Sequence, residues 1–126
     1  MPLSPLEYLR HILDECDYLM QASVGLRDAD FRSDPTIMRA FVRSLEIIGE
    51  ASKKVPPDVK KRHPGIEWTL IGGMRDRLIH GYFGVDYDIV WDVVISKVPH
   101  LREQIIELLR IEGSAPSPDS ESNESA

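Results

Sequence analysis

The residues best suited to chemistry in this chain fall in one stretch, Met74-Arg75-Asp76-Arg77-Leu78-Ile79-His80-Gly81-Tyr82. Arg75 supplies a permanent planar cation that matches a phosphate, and histidine, here His80, is the side chain that titrates near neutrality. An imidazole that moves protons and a guanidinium that stabilises charge on phosphorus are the minimal kit for cleaving a phosphodiester without a metal. Tyr82 adds a hydroxyl two residues beyond His80.

On an ideal helix Arg75 and His80 stand about 140° apart. They can meet through the reach of arginine, through a helix that ends at Gly81, or through a second copy of the motif across a dimer interface. Asp76 to His80 is an i,i+4 step, which would put a carboxylate beside the imidazole and orient the ring. Arg75 to Tyr82 is nearly one face if the helix persists. A blander reading stands beside this one. An Arg-x4-His pair arises by chance, and a histidine near a helix C-terminus is favoured by the helix dipole. Tyr82 on that reading only packs, with its hydroxyl hydrogen-bonded.

The elements that must position these residues read as helices. Ser4-Pro5-Leu6-Glu7 is a capping box with proline at the first helical position, and Leu6, Leu9, Leu13, Cys16 and Met20 repeat at three and four to about Val24. Gly25 to Ser33 reads as a polar connection. Asp34-Pro35 opens a second helix, with Met38, Phe41, Leu45, Ile48 and Val55 as its stripe and Pro56-Pro57 as its stop. Arg39, Arg43, Glu46 and Glu50 run beside that stripe. On charge pattern alone they read as a solvated face with Arg43–Glu46 and Glu50–Lys54 pairs, worth about 0.2–0.5 kcal/mol each. The sharper alternative has Arg43 and Glu46 bordering the cleft of Arg75. Lys60-Lys61-Arg62-His63-Pro64-Gly65 is a basic turn, either solvated or able to grip a phosphate backbone.

A third helix is expected from about Glu67 to Gly81, carrying Trp68, Ile71, Met74, Leu78 and Ile79 inward. Gly72-Gly73 within it costs about 1 kcal/mol per residue against alanine, which suggests a close backbone neighbour there, from a second subunit in one reading. Asp86 or Asp88 caps a fourth helix with Trp91, Val94, Val98, Leu101, Ile105 and Leu108 as its stripe, kinked at Pro99. The expectation is one all-α domain over residues 1–110, an antiparallel up-down four-helix bundle, followed by a disordered acidic tail over 111–126.

Composition narrows the function classes. The 126 residues leave room for one core. No apolar run approaches the roughly 18 residues of a membrane span, and the start lacks a signal peptide's basic and apolar regions, so the expected location is cytoplasmic. Cys16 is the only cysteine, and His11, His63, His80 and His100 have no metal-ligand spacing, so no metal and no cofactor are expected. The net charge of −6 argues against nucleic acid until its distribution is read. Residues 39–77 carry nine bases and five acids, whereas 111–126 carry four acids and no base. The positive segment is the one containing Arg75, and a locally basic surface still attracts polyanions.

Arg75-Asp76-Arg77-Leu78-Ile79-His80-Gly81-Tyr82 resembles the Arg-x4-His-x-Tyr signature of HepT-like ribonucleases in the HEPN superfamily. Arg43 to Ala51, Pro64-Gly65-Ile66-Glu67-Trp68, Gly73-Met74, Gly81 to Asp86 and Ile89-Val90-Trp91 also fit that family, so the resemblance covers roughly residues 4 to 109. Many members carry asparagine at the position of Asp76. The resemblance implies a helical bundle that dimerises with both motifs lining an interfacial cleft. It implies metal-independent endonucleolytic cleavage of transfer or messenger RNA, with Arg75 and His80 as catalytic residues; Asp76 is expected in support, and Arg43, Glu46 and Arg77 are candidate contacts of the cleft. It implies a toxin whose partner, an MntA-like nucleotidyltransferase, attaches AMP to Tyr82. The rival expectations are a non-catalytic nucleotide-binding or scaffold subunit of such a transferase complex, and a purely structural bundle.

Overall fold

A computed structural model describes residues 3–80 and 84–114. The chain is mostly helical. Helix α1 (Pro5–Ala22) starts where Ser4 Oγ accepts from Glu7 N–H, and α3 (Pro35–Lys54) where the Asp34 carboxylate accepts from the Thr36 and Ile37 N–H groups. Such caps satisfy the orphan donors of a first turn. Asp86 rather than Asp88 caps α7 (Tyr87–Asp92), accepting from Ile89 N–H. From there the helix runs on through a π-helical turn (Val93–Lys97) into α8 (Val98–Ser114). Pro99 has no N–H to give and its ring crowds the carbonyl four residues back. The backbone opens just ahead of it into the wider turn, where Val98 N–H reaches Val93 O.

The core lies where α1 packs against α3 and α8. Leu9, Ile12, Cys16 and Leu19 of α1 are buried there with Phe41, Leu45 and Ile48 of α3 and Val98, Leu101, Ile105 and Leu108 of α8. The α1 stripe is thus rotated from the expected one: Ile12 and Leu19 join it, while Leu6, Leu13 and Met20 sit at its edge. Burial pushes the Cys16 thiol up to about 12, with the neighbouring Asp17 acting in the same direction, so it stays a small hydrophobe. Ser44 and Ser52 are buried polar residues with partners: Ser44 Oγ donates to Glu15 Oε1 at 2.8 Å and Ser52 Oγ to Gly49 O at 2.8 Å.

Several sequence expectations change. The segment expected as a bare connection contains a short helix, α2 (Asp28–Arg32), because Phe31 needs burial. Its ring is fully buried, stacked on Phe41 at 5.3 Å and tilted against Trp91 at 5.2 Å. The basic turn after Pro56 is a further short helix, α4 (Pro57–Arg62), held by the buried Val59. The expected third helix is broken into α5 (Trp68–Gly72) and α6 (Met74–Leu78). What lies against Gly72 is α3 of the same chain, through the Lys53 and Ser52 side chains instead of a backbone, and the close backbone approach falls at Gly49 of α3. A Cβ at Gly49 would stand 3.3 Å from Ile71 O, and one at Gly72 3.3 Å from Lys53 Cγ.

Helix α8 also continues past the expected boundary at residue 111. Glu112 accepts from Arg62 Nη2 at 2.6 Å and lies 2.9 Å from His63 Nε2, which ties the last turn of α8 to α4. The rest of the expected tail, 115–126, lies outside the described residues. Among the described residues, no helix is long and apolar enough to cross a membrane.

Candidate active site

Helix α6 is five residues long and is anchored by Met74 and Leu78, both buried on one face at i,i+4 spacing. That anchoring leaves Arg75, Asp76 and Arg77 exposed. The helix stops at Leu78. Ile79 and His80 form an extended strand, β1 (Ile79–His80), paired antiparallel with β2 (Gly84–Val85) so that Ile79 faces Val85 and His80 faces Gly84. Asp86 N–H closes the pair by donating to Leu78 O at 2.8 Å.

His80 is therefore not on a helix, and both helical-wheel expectations about it fail: the 140° separation from Arg75 and the i,i+4 step from Asp76. β-branched Ile79 favours the extended backbone, and a close partner strand completes it. That closeness depends on glycine. A Cβ at Gly84 would lie 2.5 Å from His80 O and 3.0 Å from His80 Cβ. Tyr82, with Gly81 and Phe83, lies outside the described residues, so its expected place on the face of Arg75 does too.

His80 is exposed and lines an open groove with Arg32, Gly84, Val85, Asp86 and Asp88. Arg32 was missed by the sequence reading, which took its segment as a connection. Its Nε lies 2.6 Å from Asp28 Oδ1 and its Nη2 2.5 Å from Asp88 Oδ1. The hydrogen bonds it donates to these two carboxylates raise its affinity for its proton still further. The i,i+4 spacing of Asp28 and Arg32 was the available signal, though nothing local announced Asp88. The charge of this guanidinium is spent on two carboxylates before any substrate arrives.

Arg75 has a different neighbour. Its Nε lies 3.3 Å from Glu46 Oε2, and the carboxylate is the more sheltered partner at 22% exposure against 53%. The solvated-face reading of Glu46 is thus replaced: α3 presents this carboxylate to the motif arginine instead of to Arg43. Arg43 is exposed and has no ion pair among the described residues. Glu50 pairs with Lys53 at 3.5 Å in place of Lys54. Asp76 lines a groove with Lys53, Lys60 and Trp68, and among the described residues it makes no hydrogen bond to His80. Arg77 points to a third place. It borders an apolar cavity of about 160 Å³ floored by Leu45, Ile48, Met74 and Leu101.

Within one chain the structure thus joins Glu46 to Arg75, and places His80, Asp76 and Arg77 in separate surroundings. Among the described residues no three His, Cys, Asp or Glu side chains gather in a way that could hold a metal ion.

Comparison with known proteins places these residues in a family. The ribonuclease HepT-like family matches residues 12–108, which contain both Arg75 and His80. A protein of Caldanaerobacter subterraneus subsp. tengcongensis named "Putative RNase TTE0752" is 48% identical over 109 residues, 86% of this chain and 97% of the relative. "Probable ribonuclease HepT" of Thermococcus cleftensis is 39% identical over 108 residues, covering 86% and 98%. "Putative RNase MJ0127" of Methanocaldococcus jannaschii is 38% identical over 107 residues, covering 84% and 88%. No solved structure matches. The chain belongs to the HepT-like ribonuclease family.

Proposed function

We propose that the protein is a metal-independent endoribonuclease acting as a homodimer, the toxin of a pair whose antitoxin is an MntA-like nucleotidyltransferase. The observation that carries this reading is membership of the HepT-like ribonuclease family across a span that includes Arg75 and His80, two exposed side chains of the right chemistry.

In the proposed reaction the ribose 2′-hydroxyl attacks its own 3′-phosphate, and the P–O5′ bond breaks. The products are a 2′,3′-cyclic phosphate and a 5′-hydroxyl. An imidazole takes the 2′ proton or delivers one to the leaving 5′ oxygen, a contribution of about 10²–10⁴ in rate. The Arg75 guanidinium stabilises charge on the pentacoordinate phosphorus, and Glu46 holds that guanidinium in place from α3. Arg75 sits against Glu46 of α3 while His80 lies on β1 opposite Gly84, and in this reading a second protomer brings one motif to the other. Leu70 and Ile95, each 43% exposed, offer apolar surface for such contact. Two imidazoles across the interface would divide the acid and base roles.

AMP on Tyr82 would bring a phosphate anion to the motif, where it competes for the contacts that RNA needs. The cytoplasm, which holds RNA and transferase together, is the compartment this reading requires. The rival reading, a non-catalytic nucleotide-binding or scaffold subunit, draws on the absence, among the described residues, of any hydrogen bond or ion pair between Arg75 and His80.

The test is the chemistry of the cut ends. Wild-type protein is expected to leave 2′,3′-cyclic phosphates and 5′-hydroxyls, and to spare an oligonucleotide carrying 2′-deoxyribose at the scissile position. Cleavage of the deoxy substrate would overturn the mechanism, and no cleavage of any RNA would favour the rival. Co-expression with an active transferase is expected to add the mass of AMP at Tyr82. An unmodified tyrosine under those conditions would remove the switch.

A further inference from the structure

The end of α3, α4 and the start of α5 meet on one face beside the motif. Lys53 of α3 lies along Gly72, where an added Cβ would stand 3.3 Å from the Lys53 Cγ. Lys60 of α4 holds its Nζ 5.9 Å from the centre of the Trp68 ring. Trp68 Nε1 donates to His63 O at 3.0 Å, which fixes the plane of the indole. These side chains line a single open groove that reaches Asp76, the residue after Arg75. The lysines are not neutralised as Arg32 is. Lys53 has one long contact, 3.5 Å to an exposed Glu50, and Lys60 lies over the ring, paired with no carboxylate among the described residues.

We propose that this groove is a subsite for the single strand of RNA flanking the scissile phosphate, with Lys53 and Lys60 on two backbone phosphates and the Trp68 indole under a base. The inference rests on the ribonuclease reading and names where that substrate is gripped. Paired ammonium groups track a phosphate backbone, and an aromatic face accepts any base by stacking. An acidic peptide would use the lysines but has no use for an oriented indole. The position also fits: the groove opens from the motif helix itself, on the segment whose net charge is positive although the whole chain is acidic.

The experiment uses the full chain carrying His80→Ala, titrated with a fluorescein-labelled single-stranded RNA at several potassium chloride concentrations. Adding Lys53→Ala and Lys60→Ala together is expected to weaken binding about tenfold at low salt. It should also flatten the slope of log affinity against log salt by about 1.4, since each phosphate contact on a single strand contributes about 0.7. Trp68→Leu should weaken binding by a similar factor with the slope unchanged. Lys97→Ala, at the rim of the apolar cavity, is the control and should change neither. Thermal melts that match the parent exclude misfolding as the cause, and Trp68→Phe, which keeps an aromatic face, should restore much of the affinity.

Unchanged affinity and slope in the double lysine variant would overturn the subsite, as would a polyglutamate peptide that competes as well as RNA. Failure of the subsite and failure of the ribonuclease reading are separable. Wild type that cleaves RNA while the lysine variants bind normally sinks only the subsite. Wild type that cleaves nothing sinks the activity, while the titration still reads the groove.

Discussion

A side chain at Gly84 would collide with His80: an added Cβ would stand 2.5 Å from the His80 carbonyl oxygen and 3.0 Å from its Cβ. Real Cβ atoms do not approach that closely, so the strand carrying His80 keeps its place only opposite a glycine. Gly84→Ala is expected to spread or break the β1–β2 pair. The cost should resemble overpacking, about 1–3 kcal/mol. Hydrogen exchange at Asp86, whose N–H donates to Leu78 O across the pair, is the direct measurement. Exchange as slow as in the wild type would show that the strand shifts at no cost.

Glu46 touches Arg75, and in the proposed reaction it holds that guanidinium, so its effect should appear in catalysis more than in stability. An exposed ion pair of this kind is worth about 0–1 kcal/mol. Glu46→Gln should therefore melt within a few degrees of the wild type. It should lower kcat about tenfold with KM little changed, because the guanidinium loses its orientation. Glu46→Asp, which keeps the charge on a shorter stem, should recover part of the loss. Unaltered kcat in Glu46→Ala would reduce the pair to surface decoration.

The link between α8 and α4 predicts an acid-sensitive stability. Hydrogen bonds from Arg62 and then His63 lower the Glu112 carboxyl from 4.5 to about 2. For a depressed carboxylate the stabilisation is complete above its unfolded value and is lost as pH falls from about 4.5 toward 2. Wild type should exceed Glu112→Gln in melting temperature at pH 7, and the gap should close across that acid window. A gap that persists at pH 2 would assign the effect to something other than ionisation.

Phe31 ties α2 into the core and thereby sets Arg32 beside His80. Phe31→Ala should cost about 3–5 kcal/mol, as for other fully buried aromatic rings. In the folded fraction the Arg32–Asp88 pair should loosen, which nuclear magnetic resonance of the arginine side chains would detect. A loss below 1 kcal/mol would mean that α2 is held by its own caps.

Much of this architecture is legible in local chemistry. Ser4-Pro5, Asp34-Pro35 and Asp86 mark helix starts because caps act within three residues, and the α3 and α8 stripes follow because one face of each helix is buried. What escaped is set by partners distant in sequence. Gly72-Gly73 reads as a cost until α3 is seen against it, and Phe31 reads as an isolated apolar residue until Phe41 and Trp91 enclose it. His80 looks helical because the pattern ahead of it is helical, while what fixes its backbone is Gly84, its partner four residues on. Glu46 and Arg75 are 29 residues apart, so charge pattern pairs Glu46 with its nearest helical neighbour instead.

The central claim is that Arg75 and His80 together break RNA without help from an ion. The most direct measurement incubates purified wild type, Arg75→Ala and His80→Ala with total RNA in excess EDTA. The account predicts cleavage by wild type and a loss of at least about 10² in each variant. Equal cleavage by all three, or activity that EDTA abolishes, would contradict it.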